Sequence, residues 1–189
     1  MVRTTGKTTN GTGRRIRSIA FFCLRFAILI PVCLWLWTFV LPGYAWCLGW
    51  SGVPALRVGF RVPVEDMTVE KAGKLNIGTT LTYTVEGKPR PIEVAPAISN
   101  IPPFVALVLV TGGLRWRRRL AALGIGLAIL VLTHLLYIVL ALAFSSAVQD
   151  APQVATALAQ LFITLPFVLW LVLARWDALK EAFAATAKE

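Results

Sequence analysis

One histidine and three cysteines are the side chains of this sequence best suited to nucleophilic, proton-transfer or metal chemistry. His134 stands beside Thr133 in a long apolar run, and an ionisable side chain at such depth is by default a functional candidate. It has no second histidine to work with, and no Asp or Glu lies within any apolar run, so neither a proton relay nor a metal site can be assembled around it. The plainer expectation is a neutral imidazole hydrogen-bonded to a neighbouring helix. Cys23, Cys33 and Cys47 fall in or next to the first apolar run without C-x-x-C spacing, which argues against a bound metal. A Cys47–His134 nucleophile–base pair would need hydrogen-bond reach, yet Cys47 belongs at an interface and His134 deeper. The sequence contains no H-E-x-x-H, glycine-rich phosphate loop or serine-hydrolase elbow. No catalytic, cofactor-binding or metal-binding residue is therefore expected, and no cofactor.

The elements that must hold His134 follow from composition. Of 189 residues, 57% are hydrophobic and 15% charged, where soluble domains run about 45–50% and about 25%. That excess must face lipid, and four apolar runs carry it. Residues 1–18 read as a flexible basic tail with Arg14, Arg15 and Arg17. Residues 19–56 hold the first span, placed at 20–41 with an end near Pro42-Gly43, and an aromatic interfacial segment marked by Trp46 and Trp50. A cleaved signal peptide is the competing reading, but the run is too long and lacks an A-x-A site, so an uncleaved anchor is favoured.

Residues 57–93 are the one substantial polar stretch. Leu81, Tyr83 and Val85 alternate with threonines, and Glu86-Gly87-Lys88-Pro89 supplies turn chemistry before Ile92 and Val94, which predicts a hairpin. An earlier strand over Leu56–Val62 is expected to join it, since two strands alone are marginal in water. Residues 94–175 carry spans two to four. The second, 94–114, has an outer half broken by Pro96, Pro102 and Pro103; the third starts at Leu120; the fourth covers 154–174, after a short turn at Asp150 and Pro152. Residues 176–189 read as a second tail.

The expected fold is thus mainly α, a four-helix transmembrane bundle with a small extracytoplasmic β-hairpin segment between spans one and two. Arg14, Arg15 and Arg17 before the first span and Arg115, Arg117, Arg118 and Arg119 between the second and third place both termini in the cytoplasm. The net charge of +10 is explained by these flanks, so no nucleic-acid partner is expected. Ala122/Gly126 and Gly124/Ala128 form small-xxx-small pairs that suit close helix packing.

Counting from the arginines adds a polar layer. Asn100, His134 and Gln160 each stand 15 residues from Arg115, Arg119 and Arg175 respectively. At 1.5 Å per residue this is roughly 22 Å, beyond the midplane of a core about 30 Å thick. His134 and Gln160 are expected to pair inside the bundle, with Asn100 joining them or capping the helix that follows it.

Three stretches resemble a known family: Leu29-Ile30-Pro31-Val32-Cys33-Leu34-Trp35, Ile92-Glu93-Val94-Ala95-Pro96 leading into Leu107-Val108-Leu109, and Leu165-Pro166-Phe167-Val168-Leu169-Trp170-Leu171. They are similar to the exosortase H-associated membrane proteins, small multi-span inner-membrane proteins linked with the exosortase protein-sorting system of Gram-negative bacteria. Ala95 stands where that family's motif would carry asparagine. The resemblance implies a non-enzymatic accessory role in the cell envelope, beside an integral membrane partner of the exosortase type, with no catalytic residues to carry over. The alternative is a small membrane-embedded enzyme or permease subunit that uses His134.

Overall fold

The computed structural model describes residues 10–71, 78–143 and 160–176, and within them the chain is mostly helical with one small antiparallel sheet. The expected turn at Asp150 and the distal tail from Asp177 lie outside the described residues. Helix α1 runs Asn10–Pro54, 45 residues, so it starts inside the segment expected as a flexible tail and passes straight through Pro42-Gly43. Its length is roughly 68 Å, more than twice an apolar bilayer core. Each internal proline removes one backbone hydrogen bond. The helix persists because Leu41, Ala45, Leu48 and Val53 form a buried stripe at helical spacing, and their packing outweighs the lost bonds.

A π-helical turn, Ala55–Gly59, ends this helix. The Leu56 carbonyl accepts from the Phe60 and Val62 amides at 3.2 and 3.1 Å, and Arg57 donates through Nε and Nη2 to the Val64 carbonyl at 3.0 and 2.6 Å. Those bonds consume the groups a strand over 56–62 would have needed. The first strand, β1, therefore begins later, at Val64–Glu70.

It pairs antiparallel with β2, Thr80–Val85, which pairs antiparallel with β3, Lys88–Glu93; the order is β1-β2-β3. The alternation read from the sequence is the burial pattern of the central strand, with Leu81, Tyr83 and Val85 buried and the threonines between them half-buried. Val85 pairs with Lys88 across Glu86 and Gly87, whose φ of 52° and 69° give the two-residue turn that matches strand twist. On β3, Pro89 and Pro91 share one parity, so their missing N–H groups fall on the free edge rather than in the ladder.

The buried sheet face seats on the last turns of α1. The Tyr83 hydroxyl donates to the Gly49 carbonyl at 3.2 Å, and a Cβ at Gly49 would stand 3.0 Å from Met67 Sδ and Cε, so glycine lets the sheet approach without displacing the Met67 side chain.

After the sheet come α2, Ala95–Ile98, and α3, Ile101–Val110, separated at Ser99-Asn100. Pro102 and Pro103 occupy the first turn of α3, where their absent N–H groups cost nothing. Helix α4 is Trp116–Ala143, and α5 is Gln160–Trp176. Among the described residues only α1, from Arg17 onward, and α4 are long and apolar enough to cross a membrane; α3 and α5 are shorter apolar helices. The expected four-helix transmembrane bundle is thus met in part: two helices are of spanning length, the second apolar run is split at Ser99-Asn100 as its prolines predict, and residues 154–159 of the fourth lie outside the described residues.

Ala122 and Gly126 on α4 are buried, and a Cβ on Gly126 would collide with the Phe104 ring of α3, so the two helices meet over this pair. Gly124 and Ala128 are exposed, and nothing stands within 4 Å of where a Gly124 Cβ would be. Ile138, Val139 and Leu142, near the far end of α4, join α1 and the sheet in a common core.

Candidate functional site

His134 is fully buried, on the face of α4 that carries Gly126, Leu130 and Ile138, each about one helical turn from the next. Both its ring nitrogens are engaged. The Tyr44 hydroxyl lies 2.8 Å from Nδ1, and Asn100 Oδ1 lies 3.0 Å from Nε2. Asn100 in turn donates through Nδ2 to the Phe162 carbonyl of α5 at 3.3 Å.

The last bond fixes the amide orientation, because the Asn100 nitrogen must face a carbonyl and its oxygen must then accept from the imidazole. Nε2 therefore carries the proton, and Nδ1 accepts from the Tyr44 hydroxyl; this tautomer is assigned from the network. The donors run in one direction, from α1 through α4 and the α2–α3 break into α5. Four segments are thereby joined by three side chains and one backbone carbonyl.

Aromatic rings enclose the chain. Tyr44 meets His134 edge-on at 6.0 Å between centroids, Phe162 lies 6.0 Å from the imidazole, and Trp37 packs on Tyr44 at 5.4 Å. The Trp37 indole N–H is buried without a partner among the described residues. Outside the helices, burial raises the Tyr83 phenol above its ordinary range.

Asn100 and His134 are thus brought together, while Gln160 is exposed and Phe162 occupies the depth expected for it. Two residues along a helix turn a side chain by about 200°, so Gln160 points outward where Phe162 points in. The expected His134–Gln160 pair is replaced by His134–Asn100. Tyr44 lies beyond the helix end that Pro42-Gly43 predicts, in a stretch where α1 instead continues. The spacing of Trp37, Leu41, Tyr44 and Leu48 at three and four residues was the signal that it belonged to a continuing buried stripe.

The cysteines do not enter this site. Cys23 and Cys47 are exposed and Cys33 half-buried, and no group of three His, Cys, Asp or Glu that could hold a metal occurs among the described residues. Of the arginines expected to set topology, Arg14 and Arg15 lie within α1, and Arg17 is exposed on it. Arg115 precedes α4, and Arg117, Arg118 and Arg119 fall in its first turn.

A family model described as exosortase H-associated membrane protein matches residues 17–163, well over half of the chain. No curated protein and no solved structure gives a match.

Proposed function

This chain belongs to the exosortase H-associated membrane protein family, and on that premise we propose that it is a non-enzymatic accessory protein of the inner membrane, packed beside an exosortase-type enzyme. In this reading α1, the split α2–α3, α4 and α5 form a four-helix bundle with both termini cytoplasmic, and the sheet contacts sorted protein or envelope components outside.

The observation that carries the non-enzymatic reading is the engagement of both His134 nitrogens inside a closed hydrogen-bonded chain. A general base must come within hydrogen-bond reach of substrate, whereas this imidazole is fully buried and its two nitrogens join helices. The partner surface is the outward face of α1, where Trp35, Leu36, Phe39 and Val40 are exposed and apolar.

Glutamine at position 134 supplies one donor and one acceptor but no titratable base. Co-expression with an exosortase, purification in mild detergent and a protein-sorting assay test the proposal together. The enzyme is expected to co-purify, and His134→Gln is expected to retain both association and sorting. A folded His134→Gln protein that binds the enzyme yet abolishes sorting would overturn the non-enzymatic reading.

A further inference from the structure

At the arginine-bearing end of the helices a cavity of about 420 Å³ opens between α1, the end of α3 and the end of α5. Two arginines from different helices line it, Arg25 and Arg175, with the hydroxyl-bearing Ser18 and Thr111 and the aromatic Phe22 and Trp170. The cavity is well formed on its inner side. Trp170 Nε1 donates to Thr111 Oγ1 at 2.7 Å, Thr111 Oγ1 donates to the Leu107 carbonyl at 2.7 Å, and the Phe22 and Trp170 rings stand 5.9 Å apart.

A third guanidinium stands behind this wall. Arg119 donates through Nη2 to the Thr111 carbonyl at 2.8 Å, and its Nε is buried without a partner among the described residues. Arg25 is held over the Phe21 ring at 4.1 Å, which keeps its charge beside the cavity rather than extended away from it. The described lining residues include no Asp or Glu. Arg25 and Arg175 are exposed side chains lining one cavity, where an anion offsets the repulsion between like charges, and a planar guanidinium matches phosphate oxygens two at a time.

We propose that this cavity binds the phosphate of an anionic phospholipid, with the headgroup between Arg25 and Arg175. The volume falls within the range of small-molecule sites. A lipid fits better than a soluble phosphate because the same sides continue into exposed apolar residues, Leu24 and Ile28 on α1 and Val168 and Leu171 on α5, along which acyl chains can lie. Basic pockets between helices at a cytoplasmic membrane face are suited to acidic headgroups. The inference rests on the membrane reading of α1 and α5 given above but not on any exosortase partner.

The test is native mass spectrometry of the full chain released from detergent, with added phosphatidylglycerol, phosphatidylcholine or inorganic phosphate. The double variant Arg25→Gln/Arg175→Gln is compared with Arg61→Gln, which lies at the sheet end, and with Arg25→Lys/Arg175→Lys. Wild type and Arg61→Gln are expected to retain phosphatidylglycerol over phosphatidylcholine. The double glutamine variant is expected to lose about thirtyfold in retention, and the lysine variant to recover part of it. Circular dichroism and gel filtration establish that each variant is folded. Equal retention of the two lipids, or undiminished retention by a folded glutamine variant, would overturn the site. Displacement of the lipid by inorganic phosphate at equal concentration would overturn the lipid as its ligand.

Discussion

His134 Nε2 on α4 stands 3.0 Å from Asn100 Oδ1, at the point where the backbone breaks between α2 and α3. The break and the histidine are therefore one feature, in which an interruption in one helix exposes an amide that another helix satisfies.

Replacement of Asn100 by leucine removes the acceptor at His134 Nε2 and leaves the Phe162 carbonyl without its side-chain donor in a buried setting. An orphaned buried group costs about 1–3 kcal/mol. Thermal unfolding in detergent is expected to show a clear loss for Asn100→Leu. Tyr44→Phe, which removes only a donor to Nδ1, should lose less. Equal stability of Asn100→Leu and wild type would show that the hydrogen bonds do not join the helices.

Gly126→Ala is expected to destabilise by about 1–3 kcal/mol, the ordinary cost of overpacking, because the Phe104 ring occupies the new methyl's place. Gly124→Ala, two residues away in open space, should be neutral or slightly stabilising through helix propensity. Chemical denaturation of the two variants side by side measures the contrast, and equal behaviour would deny the α3–α4 contact.

Alkaline titration addresses the sheet. The Tyr83 phenol is raised by burial, so the folded form holds its proton at pH values where the unfolded chain, near pH 10, has lost it. A raised folded value means this contribution is fully present below the unfolded pKa and is lost as pH rises above it. Stability of wild type is expected to fall above about pH 10 more steeply than that of Tyr83→Phe. The variant should start lower by about 1 kcal/mol for the lost bond to the Gly49 carbonyl. Parallel pH dependences would indicate that the hydroxyl is not buried against α1.

Reporter fusions test the proposed orientation. Activity of a periplasmic reporter is expected at residue 88, in the hairpin turn region, and of a cytoplasmic reporter at residue 117, among the arginines. The reverse pattern would exclude the arrangement of both termini inside.

Much of the helical content was legible in the sequence because apolar length and arginine flanks are strong signals, and the alternation at Leu81, Tyr83 and Val85 marked the central strand. Helix ends were harder to read. Pro42-Gly43 looks like a stop in water, but a long buried stripe overrides it and brings Tyr44 onto the packed side of α1. The proline pair after Asn100 marked the break correctly. Depth counting puts Asn100 and His134 on a common level, yet depth carries no rotational information and does not distinguish Gln160 from Phe162, which faces inward two positions on. The Leu56–Val62 strand failed because Arg57 and the Leu56 carbonyl close a local turn, an arrangement that hydrophobic periodicity does not register.

The seat of the sheet also implies an order of assembly. Its buried face rests partly on α1, made before it, and partly on Ile138, Val139 and Leu142 of α4, made some fifty residues after it. During synthesis the three strands can therefore lean on α1 through Tyr83 and Gly49 while the part of their final platform that α4 supplies does not yet exist. Closure of the sheet against the helices becomes a late event, completed only when α4 is in place, and until then the strands remain open to whatever meets the nascent chain.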